Sequence, residues 1–132
     1  MTSRANMTLR MDMSLPNGTT GFDEYSGFYI SPPDLYTFNL DRRINSKGMS
    51  NYRVLSQTGQ FDIRQSFSTY DKDRDHWMGN CARSYGGGWW FSDCTTNMLN
   101  GHFDSEQFLY LSFQRYRPNK LKTSTMMFRS SN

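Results

Sequence analysis

Three aspartates in the segment YDKDRDHWMGNC are the residues of this chain best suited to chemistry. Asp71, Asp73 and Asp75 gather three carboxylates in a short stretch. Carboxylate oxygens on a flexible loop are the ligands that calcium prefers. The spacing does not fit an EF-hand, because His76 stands where that loop needs Gly and Ala82 where it needs Glu. The segment therefore predicts either a calcium loop of another geometry or a solvated acidic turn.

Cys81 and Cys94 are the two cysteines of the chain, and they enclose a segment rich in Gly and Trp. They do not form the CxxC pattern of redox or zinc sites, and neither His76 nor His102 lies at zinc-ligand spacing. We therefore predict a disulfide, which would stabilise the fold by about 3 kcal/mol in the chain-entropy model. Because disulfides persist in oxidising compartments, the pair indicates an extracellular protein.

Catalytic patterns do not emerge from the remaining polar residues. His76 and His102 have no Ser or Cys nucleophile pattern beside them, so we expect surface or packing histidines. The carboxylates are better used by calcium than as a hydrolytic pair. We predict that the chain is not an enzyme. The triplets Asn6-Met7-Thr8 and Asn17-Gly18-Thr19 match the N-glycosylation pattern, which agrees with secretion but also arises by chance.

The composition indicates a single domain with an aromatic core. The chain has 132 residues, of which 36% are hydrophobic, with 10 Phe, 8 Tyr, 3 Trp and 9 Met. Tyr and Trp carry polar groups that need partners, so such a core favours recognition surfaces. A net charge of +3 is too small to predict nucleic-acid binding. A basic stretch at residues 115–122 is either a solvated edge or a polyanion patch.

The alternation of apolar residues predicts where the strands lie. Met7 to Leu15 alternate apolar and polar side chains, and the turn residues Pro16-Asn17-Gly18 follow. We predict further strands at 21–30, 36–40 and 121–128, a loop with room for one short helix at 41–60, and irregular structure over 59–101. The irregular part needs a metal and a disulfide to hold one shape.

The start of the chain lacks the features of a targeting segment. The first thirteen residues contain no continuous apolar stretch like that of a secretory signal, and no window is apolar enough to span a bilayer. We therefore expect no membrane insertion. Together with the extracellular prediction, this leads us to expect a piece of a longer protein.

Residues 67–103, FSTYDKDRDHWMGNCARSYGGGWWFSDCTTNMLNGHF, resemble the signature of fibrinogen C-terminal domains. The aspartates, Asn-Cys-Ala, GGWW, the second Cys and Leu-Asn-Gly occur in the family order. LRMDMSLPNGTTGFDEYSGFYI, YTFNL and LKTSTMMFR extend the likeness over most of the chain. The resemblance implies an α+β fold in which an antiparallel sheet precedes a long irregular calcium-binding region. We expect a sheet-rich part at 1–66 and a calcium and ligand part at 67–132, without the family's N-terminal subdomain.

The resemblance also implies roles for single residues. Asp73 and Asp75 would bind Ca²⁺ through their side chains, Trp77 and Gly79 through their carbonyls, while Asp71 would be structural. In relatives that bind acetyl groups, the pocket lies beside this calcium and uses the peptide before the second cysteine. The corresponding ligand-binding residues are Tyr85, Asp93, Cys94 and Thr95.

Two departures from the family pattern affect the predicted ligand. Thr95 replaces a histidine that many acetyl-binding relatives carry. The segment Phe108 to Tyr116, which matches the one around the pocket mouth in those relatives, lacks an expected Trp. One hypothesis is a secreted lectin-like domain that binds acetylated sugars in innate recognition. The other is a matrix or receptor-binding module that binds an extracellular protein. Assembly into oligomers would depend on regions outside this chain.

Overall fold

The computed structural model describes residues 7–32, 35–50, 63–92, 94–95, 97–101, 108–110, 113 and 120–130. Within these ranges the elements are β1 (Met7–Ser14), β2 (Thr20–Ser26), β3 (Tyr29–Ile30), β4 (Phe38–Asn39), β5 (Arg43–Lys47), α1 (Cys81–Tyr85), β6 (Asn97–Met98), β7 (Leu109–Tyr110) and β8 (Thr123–Ser130). No helix in the described residues has the length and apolarity to cross a bilayer.

Four strands form an antiparallel sheet in the order β5-β2-β1-β8. Met11 lies opposite Asp23 on one side and opposite Met126 on the other. Because alternate residues of a strand face opposite sides, Leu9, Met11 and Met13 all point into the core. The strands predicted at 7–15 and 121–128 are confirmed, and β1 is a central strand because it pairs with β2 on one side and with β8 on the other.

The strand predicted over residues 21–30 is divided in two. Gly27 has a φ of +70°, and a Cβ there would collide with the carboxylate of Asp41. Residues with side chains rarely adopt this conformation, so glycine allows the chain to turn out of the sheet. β3 then pairs with β4 in a separate two-stranded sheet, which contains part of the strand predicted at 36–40.

Residues 41–60 are not the continuous loop that the sequence predicted. β5 pairs antiparallel with β2, with an irregularity between Glu24 and Tyr25. β5 is largely exposed at the sheet edge, and its side chains are polar except for Ile44, so they carry no alternating pattern. Residues 51–62 lie outside the described residues, so the short helix for which the segment 41–60 has room stays a prediction there.

One hydrophobic core joins the sheet to the second half of the chain. Its fully buried large side chains include Leu9, Met11, Tyr25, Phe38, Leu40, Trp89, Phe91, Met98, Tyr110 and Leu121. Burying one such side chain stabilises the fold by about 1.5–3 kcal/mol. The core therefore holds the second half of the chain against the sheet.

An aromatic stack carries this packing to the start of the aspartate segment. Phe38 stacks on Trp90 with ring centroids 4.5 Å apart, and Phe67 meets the same indole edge-on at 5.2 Å. The Trp90 Nε1 group donates a hydrogen bond of 2.8 Å to the carbonyl of Tyr36. These contacts show that Trp90 is a packing residue, and Trp89 beside it is fully buried.

A buried ion pair lies in the centre of the core face of the sheet. Asp23 is fully buried, and its carboxylate lies 2.6 Å from Nε of Arg43 on β5. Tyr25 and Tyr110 donate hydrogen bonds to the same carboxylate at 3.0 and 2.7 Å. A buried carboxylate is tolerated only when it is paired and hydrogen-bonded in this way. The cluster therefore links β2, β5 and β7.

Candidate metal and ligand site

The aspartate segment begins at a bridge between two distant parts of the chain. Ser68 and Trp89 exchange backbone hydrogen bonds of 2.9 and 3.1 Å. The Ser68 hydroxyl is fully buried and accepts a hydrogen bond of 2.9 Å from the backbone N–H of Arg74. This bridge anchors the base of what we call the Asp loop, residues 69–79.

Asp71 has a local structural partner. The Thr69 hydroxyl donates a 2.7 Å hydrogen bond to one carboxylate oxygen of Asp71. This bond, followed by one from the backbone, lowers the pKa of Asp71 below its ordinary value. Thr69 also forms a tight backbone turn with Lys72. The geometry supports the structural role that the resemblance implied for Asp71.

Asp73 and Asp75 form two successive turns in which each carboxylate bonds to the backbone two residues later. The N–H of Asp75 donates to Asp73 at 3.2 Å, and the N–H of Trp77 donates to Asp75 at 3.0 Å. The second oxygen of Asp75 accepts a 2.9 Å bond from the N–H of Cys81. A carboxylate has about four lone-pair positions, so these bonds leave each group able to bind a cation.

The carbonyl oxygens of Trp77 and Gly79 accept no hydrogen bond from the residues that the structure describes. Both oxygens are therefore available as ligands. The indole ring of Trp77 lies over Gly79, where an added Cβ would come within 2.6 Å of the ring. Glycine at this position lets the ring and the backbone approach closely.

The donor set fits a hard cation that accepts main-chain oxygens. In the ranges described, no three His, Cys, Asp or Glu side chains are placed together as metal ligands. A site here would combine the carboxylates of Asp73 and Asp75 with main-chain carbonyl oxygens. Ca²⁺ binds such all-oxygen ligand sets, whereas Zn²⁺ prefers nitrogen and sulfur ligands. The residues present therefore fit the ion implied by the resemblance.

Helix α1 begins directly after the Asp loop, in a region where the sequence predicted no regular element. The Asn80 side chain caps it by accepting a 3.0 Å bond from the N–H of Arg83, and its amide donates to the carbonyl of Tyr70 at 2.8 Å. Gly86 ends it in the left-handed conformation, with a φ of 79°. A helix of this length depends on such caps, so apolar periodicity could not reveal it.

The predicted disulfide forms between Cys81 and Cys94, whose Cα atoms are 5.6 Å apart. It connects the first residue of α1 to the segment after the tandem tryptophans. A backbone bond of 2.8 Å from the N–H of His76 to the carbonyl of Ser92 makes a second link between the same regions. The Asp loop and the predicted ligand segment are thus held together at two places.

The predicted ligand-binding residues lie on this disulfide-closed ring or directly after it. Tyr85 ends α1 and is half-buried against Phe91, with ring centroids 5.7 Å apart. The Thr95 hydroxyl donates to the carbonyl of Asn97 at 2.8 Å and accepts from its N–H at 3.1 Å. Asp93 and the peptide joining it to Cys94 lie outside the described residues.

The predicted pocket-mouth segment is only partly described. Phe108 and Tyr110 are buried in the core, so they are not free to contact a ligand. Positions 111–112 and 114–116 lie outside the described residues. Phe108 and Tyr110 are therefore packing residues. A pocket mouth formed by the rest of the segment stays a prediction.

A surface groove that the sequence did not predict adjoins the Asp loop. It has a volume of about 440 Å³ and is lined by Thr69, Tyr70, Asp71, Ala82, Arg83 and Gly86 to Gly88. It shares no residue with the predicted ligand set. Its lining comes from two segments that only the fold brings together, and the triple glycine was the one sequence signal for it.

The Asp loop also exposes large apolar side chains. Tyr70, Trp77 and Met78 are 65%, 41% and 103% exposed, respectively. The hydrogen bond from Asn80 brings the backbone of Tyr70 to the end of the loop. Aromatic and methionine side chains are enriched in protein interfaces, so this exposure is suited to contact with another protein.

Comparison with known proteins agrees with this architecture. The chain is 34% identical to human angiopoietin-4 over 102 residues, which are 76% of this chain and 19% of that protein. It is 29% identical to human fibrinogen-like protein 1 over 109 residues, covering 80% of this chain and 35% of the relative. The chain therefore spans about a fifth to a third of these relatives.

A solved structure shows the same fold. The fibrinogen-like globe domain of human ANGPTL6 superposes with a TM-score of 0.74 and 26% identity, over 96% of this chain and 58% of that one. The family model of the C-terminal globular domain of fibrinogen beta and gamma chains matches residues 1–121. With the disulfide and the sheet order in place, these matches establish that the chain belongs to the fibrinogen C-terminal domain family.

Proposed function

We propose that this chain is a calcium-ordered recognition domain of an extracellular protein and that it binds a protein partner without chemical turnover. The observation that carries this proposal is the exposure of Tyr70, Trp77 and Met78 on a loop that hydrogen bonds anchor near both ends. Rigid exposed aromatic side chains bind with little loss of conformational entropy, so they make good interface anchors.

The backbone of the Asp loop supports a role for calcium in ordering this surface. Asp73 and Asp75 each retain lone pairs, and the carbonyls of Trp77 and Gly79 accept no hydrogen bond from the described residues. An ion held by these oxygens would fix the loop between Tyr70 and α1. Calcium would then act on affinity by ordering the surface, with no part in a reaction.

A lectin-like site for acetylated sugars is the second candidate. It is favoured by the covalent ring that carries Tyr85 and Cys94 beside the Asp loop. Against it, the Thr95 hydroxyl is bonded to Asn97, and Tyr85 is half-buried against Phe91. We therefore rank the protein partner first.

Calcium binding is tested by calorimetric titration of the purified chain. Asp73→Asn should weaken calcium affinity by about tenfold or more, because it removes one of two charged ligands. Asp71→Asn is the matched control, since that carboxylate lies on the same loop and bonds to Thr69. Equal loss in both variants, or no calcium uptake by the parent chain, would contradict the assignment.

Partner class is tested by binding to a panel of purified extracellular receptor domains and to N-acetylated beads, with and without EDTA. We expect saturable, calcium-dependent binding to a protein ligand. Tyr70→Ala and Met78→Ala should each weaken it by about tenfold, as for interface anchors. Met127→Ala is the control, because Met127 is also exposed, at 42%, but lies on β8. Retention on the beads that free N-acetylglucosamine reverses would support the lectin instead.

A further inference from the structure

The connection between β1 and β2 is a short exposed turn that contains the triplet Asn17-Gly18-Thr19. The N–H of Leu15 donates to the carbonyl of Thr19 at 2.8 Å, and the N–H of Gly18 donates to the carbonyl of Leu15 at 3.0 Å. These bonds close the turn at the end of the sheet. Positions 16–20 are all exposed, so the whole triplet faces solvent.

The side-chain amide of Asn17 forms a hydrogen bond within the turn through its oxygen atom. Its Oδ1 accepts a 2.9 Å bond from the N–H of Thr19, while Nδ2 has no partner among the described residues. The bond curls the asparagine side chain towards the residue two positions later. The amide nitrogen that would be modified and the threonine that defines the triplet are thus presented together.

The turn also has room for a large substituent. Gly18 has a φ of +92°, and an added Cβ would have no atom within 4 Å. A bulky group on the neighbouring asparagine would extend into solvent and displace no core side chain. By contrast, Thr8 of the triplet Asn6-Met7-Thr8 is only 4% exposed within β1. The folded chain therefore presents the two triplets differently.

We propose that Asn17 is an N-glycosylation site whose glycan stands at the β1–β2 turn. The proposal rests on the extracellular function proposed above, because the modification requires passage through the secretory pathway. The donor is a lipid-pyrophosphate-linked oligosaccharide. Nδ2 of Asn17 forms a bond to the first sugar carbon, the bond from that carbon to the pyrophosphate oxygen breaks, and the lipid pyrophosphate leaves with the electron pair. Nδ2 gives up one proton to a base of the transferase.

The test is translation of the full chain behind an added secretion signal in the presence of microsomes. The imported, protease-protected chain should carry one mass increment of an N-linked oligosaccharide that peptide N-glycosidase removes. Asn17→Gln and Thr19→Ala should each abolish this increment, and Thr19→Ser should restore it. Asn6→Gln is the matched control and should leave the increment in place.

The outcomes separate this proposal from the proposed function. Because the signal forces import, an imported chain without a glycan, or one whose glycan is lost only in Asn6→Gln, overturns the Asn17 site. Neither result affects calcium or partner binding, which is measured on unglycosylated chain. Equal thermal unfolding midpoints for the parent chain and Asn17→Gln show that the loss of the glycan is not a folding defect.

Discussion

At the scale of single residues, the buried carboxylate of Asp23 depends on Arg43, Tyr25 and Tyr110 for its stabilisation. Burial acts to lower the pKa of Arg43, but the hydrogen bond and the charge of Asp23 outweigh it and the pKa is raised. Arg43 is therefore a cation beside the buried carboxylate of Asp23. The attraction between the two charges offsets a desolvation cost of several kcal/mol. Removing either side chain alone should therefore lower the stability of the fold substantially.

Asp23→Asn should lower the free energy of unfolding by about 3–5 kcal/mol, because Arg43 would remain as an uncompensated buried cation. Asp12→Asn is the control. Asp12 pairs with Arg10 on the open face of the sheet, where both side chains are about a third exposed. Such a pair contributes about 0–1 kcal/mol. Urea unfolding of both variants measures the difference, and similar midpoints would contradict the buried pair.

The buried position of Tyr110 leads us to expect that the stability of the fold depends on pH in the alkaline range. Burial, and then the neighbouring Tyr25 and Asp23, raise the pKa of Tyr110 well above its ordinary 10.0. Because the folded chain binds the Tyr110 proton more tightly than the unfolded chain does, the protonated phenol stabilises the fold at any pH below 10.0, the ordinary pKa. This stabilisation is lost as the pH rises from 10.0 towards the pKa of Tyr110 in the folded chain. Tyr110→Phe should be about 1.5–3 kcal/mol less stable at neutral pH and should show a flatter decline above pH 10. Thermal unfolding from pH 7 to 11 tests this.

The sequence could predict little of this cluster. Asp23 and Tyr25 lie among residues predicted to form a strand, but no local pattern shows that Arg43 and Tyr110 reach the same carboxylate. Only the pairing of β2 with β5 and the packing of β7 bring them together. By contrast, the disulfide between Cys81 and Cys94 was predicted correctly from sequence, because the two cysteines lie close along the chain. Asp73 and Asp75 are also close in sequence, and their role as calcium ligands stays a prediction.

At the scale of elements, the closed ring of α1 and the tandem tryptophans depends on a covalent link. The ring closes residues 13 positions apart. Replacing both cysteines, Cys81→Ala with Cys94→Ala, should lower the free energy of unfolding by about 3 kcal/mol. The parent chain in reducing agent should show the same loss, and the double variant should be insensitive to that agent. Unchanged stability in both would show that the ring is held by packing alone.

The success of strand prediction depended on the side chains that each strand carries. β1 is buried on one face, so its alternation of apolar and polar residues is complete and its place could be predicted. β5 lies at an edge and is largely exposed, so its polar sequence resembles a loop. The break lies at Gly27, whose positive φ and closeness to Asp41 no local pattern shows.

At the scale of the whole molecule, the parts of the chain before and after residue 66 are interleaved. β8 comes from the second part but pairs along the full length of β1, from Met7 opposite Ser130 to Ser14 opposite Thr123. Ser124 also donates a hydrogen bond to the carbonyl of Leu99. The last strand thus closes the sheet and holds the second half of the chain against it.

Removing β8 should therefore unfold the whole chain and not the last strand alone. A chain ending at residue 120 would expose Leu9, Met11 and Met13 on β1 and lose an eight-residue ladder. We expect it to lack a cooperative unfolding transition by circular dichroism. A chain ending at residue 130 is the control and should unfold as the parent does. A cooperative transition in the shorter chain would show that β8 is dispensable.

Met78 stands fully in solvent on the Asp loop, whereas Met11, Met13 and Met98 are buried. Mild peroxide should consequently convert the Met78 thioether to its sulfoxide before it reaches the buried sulfurs. The change adds a polar oxygen to a side chain with no core contacts, so the fold should survive while the proposed contact surface is altered. The proposed recognition surface would then be sensitive to oxidants.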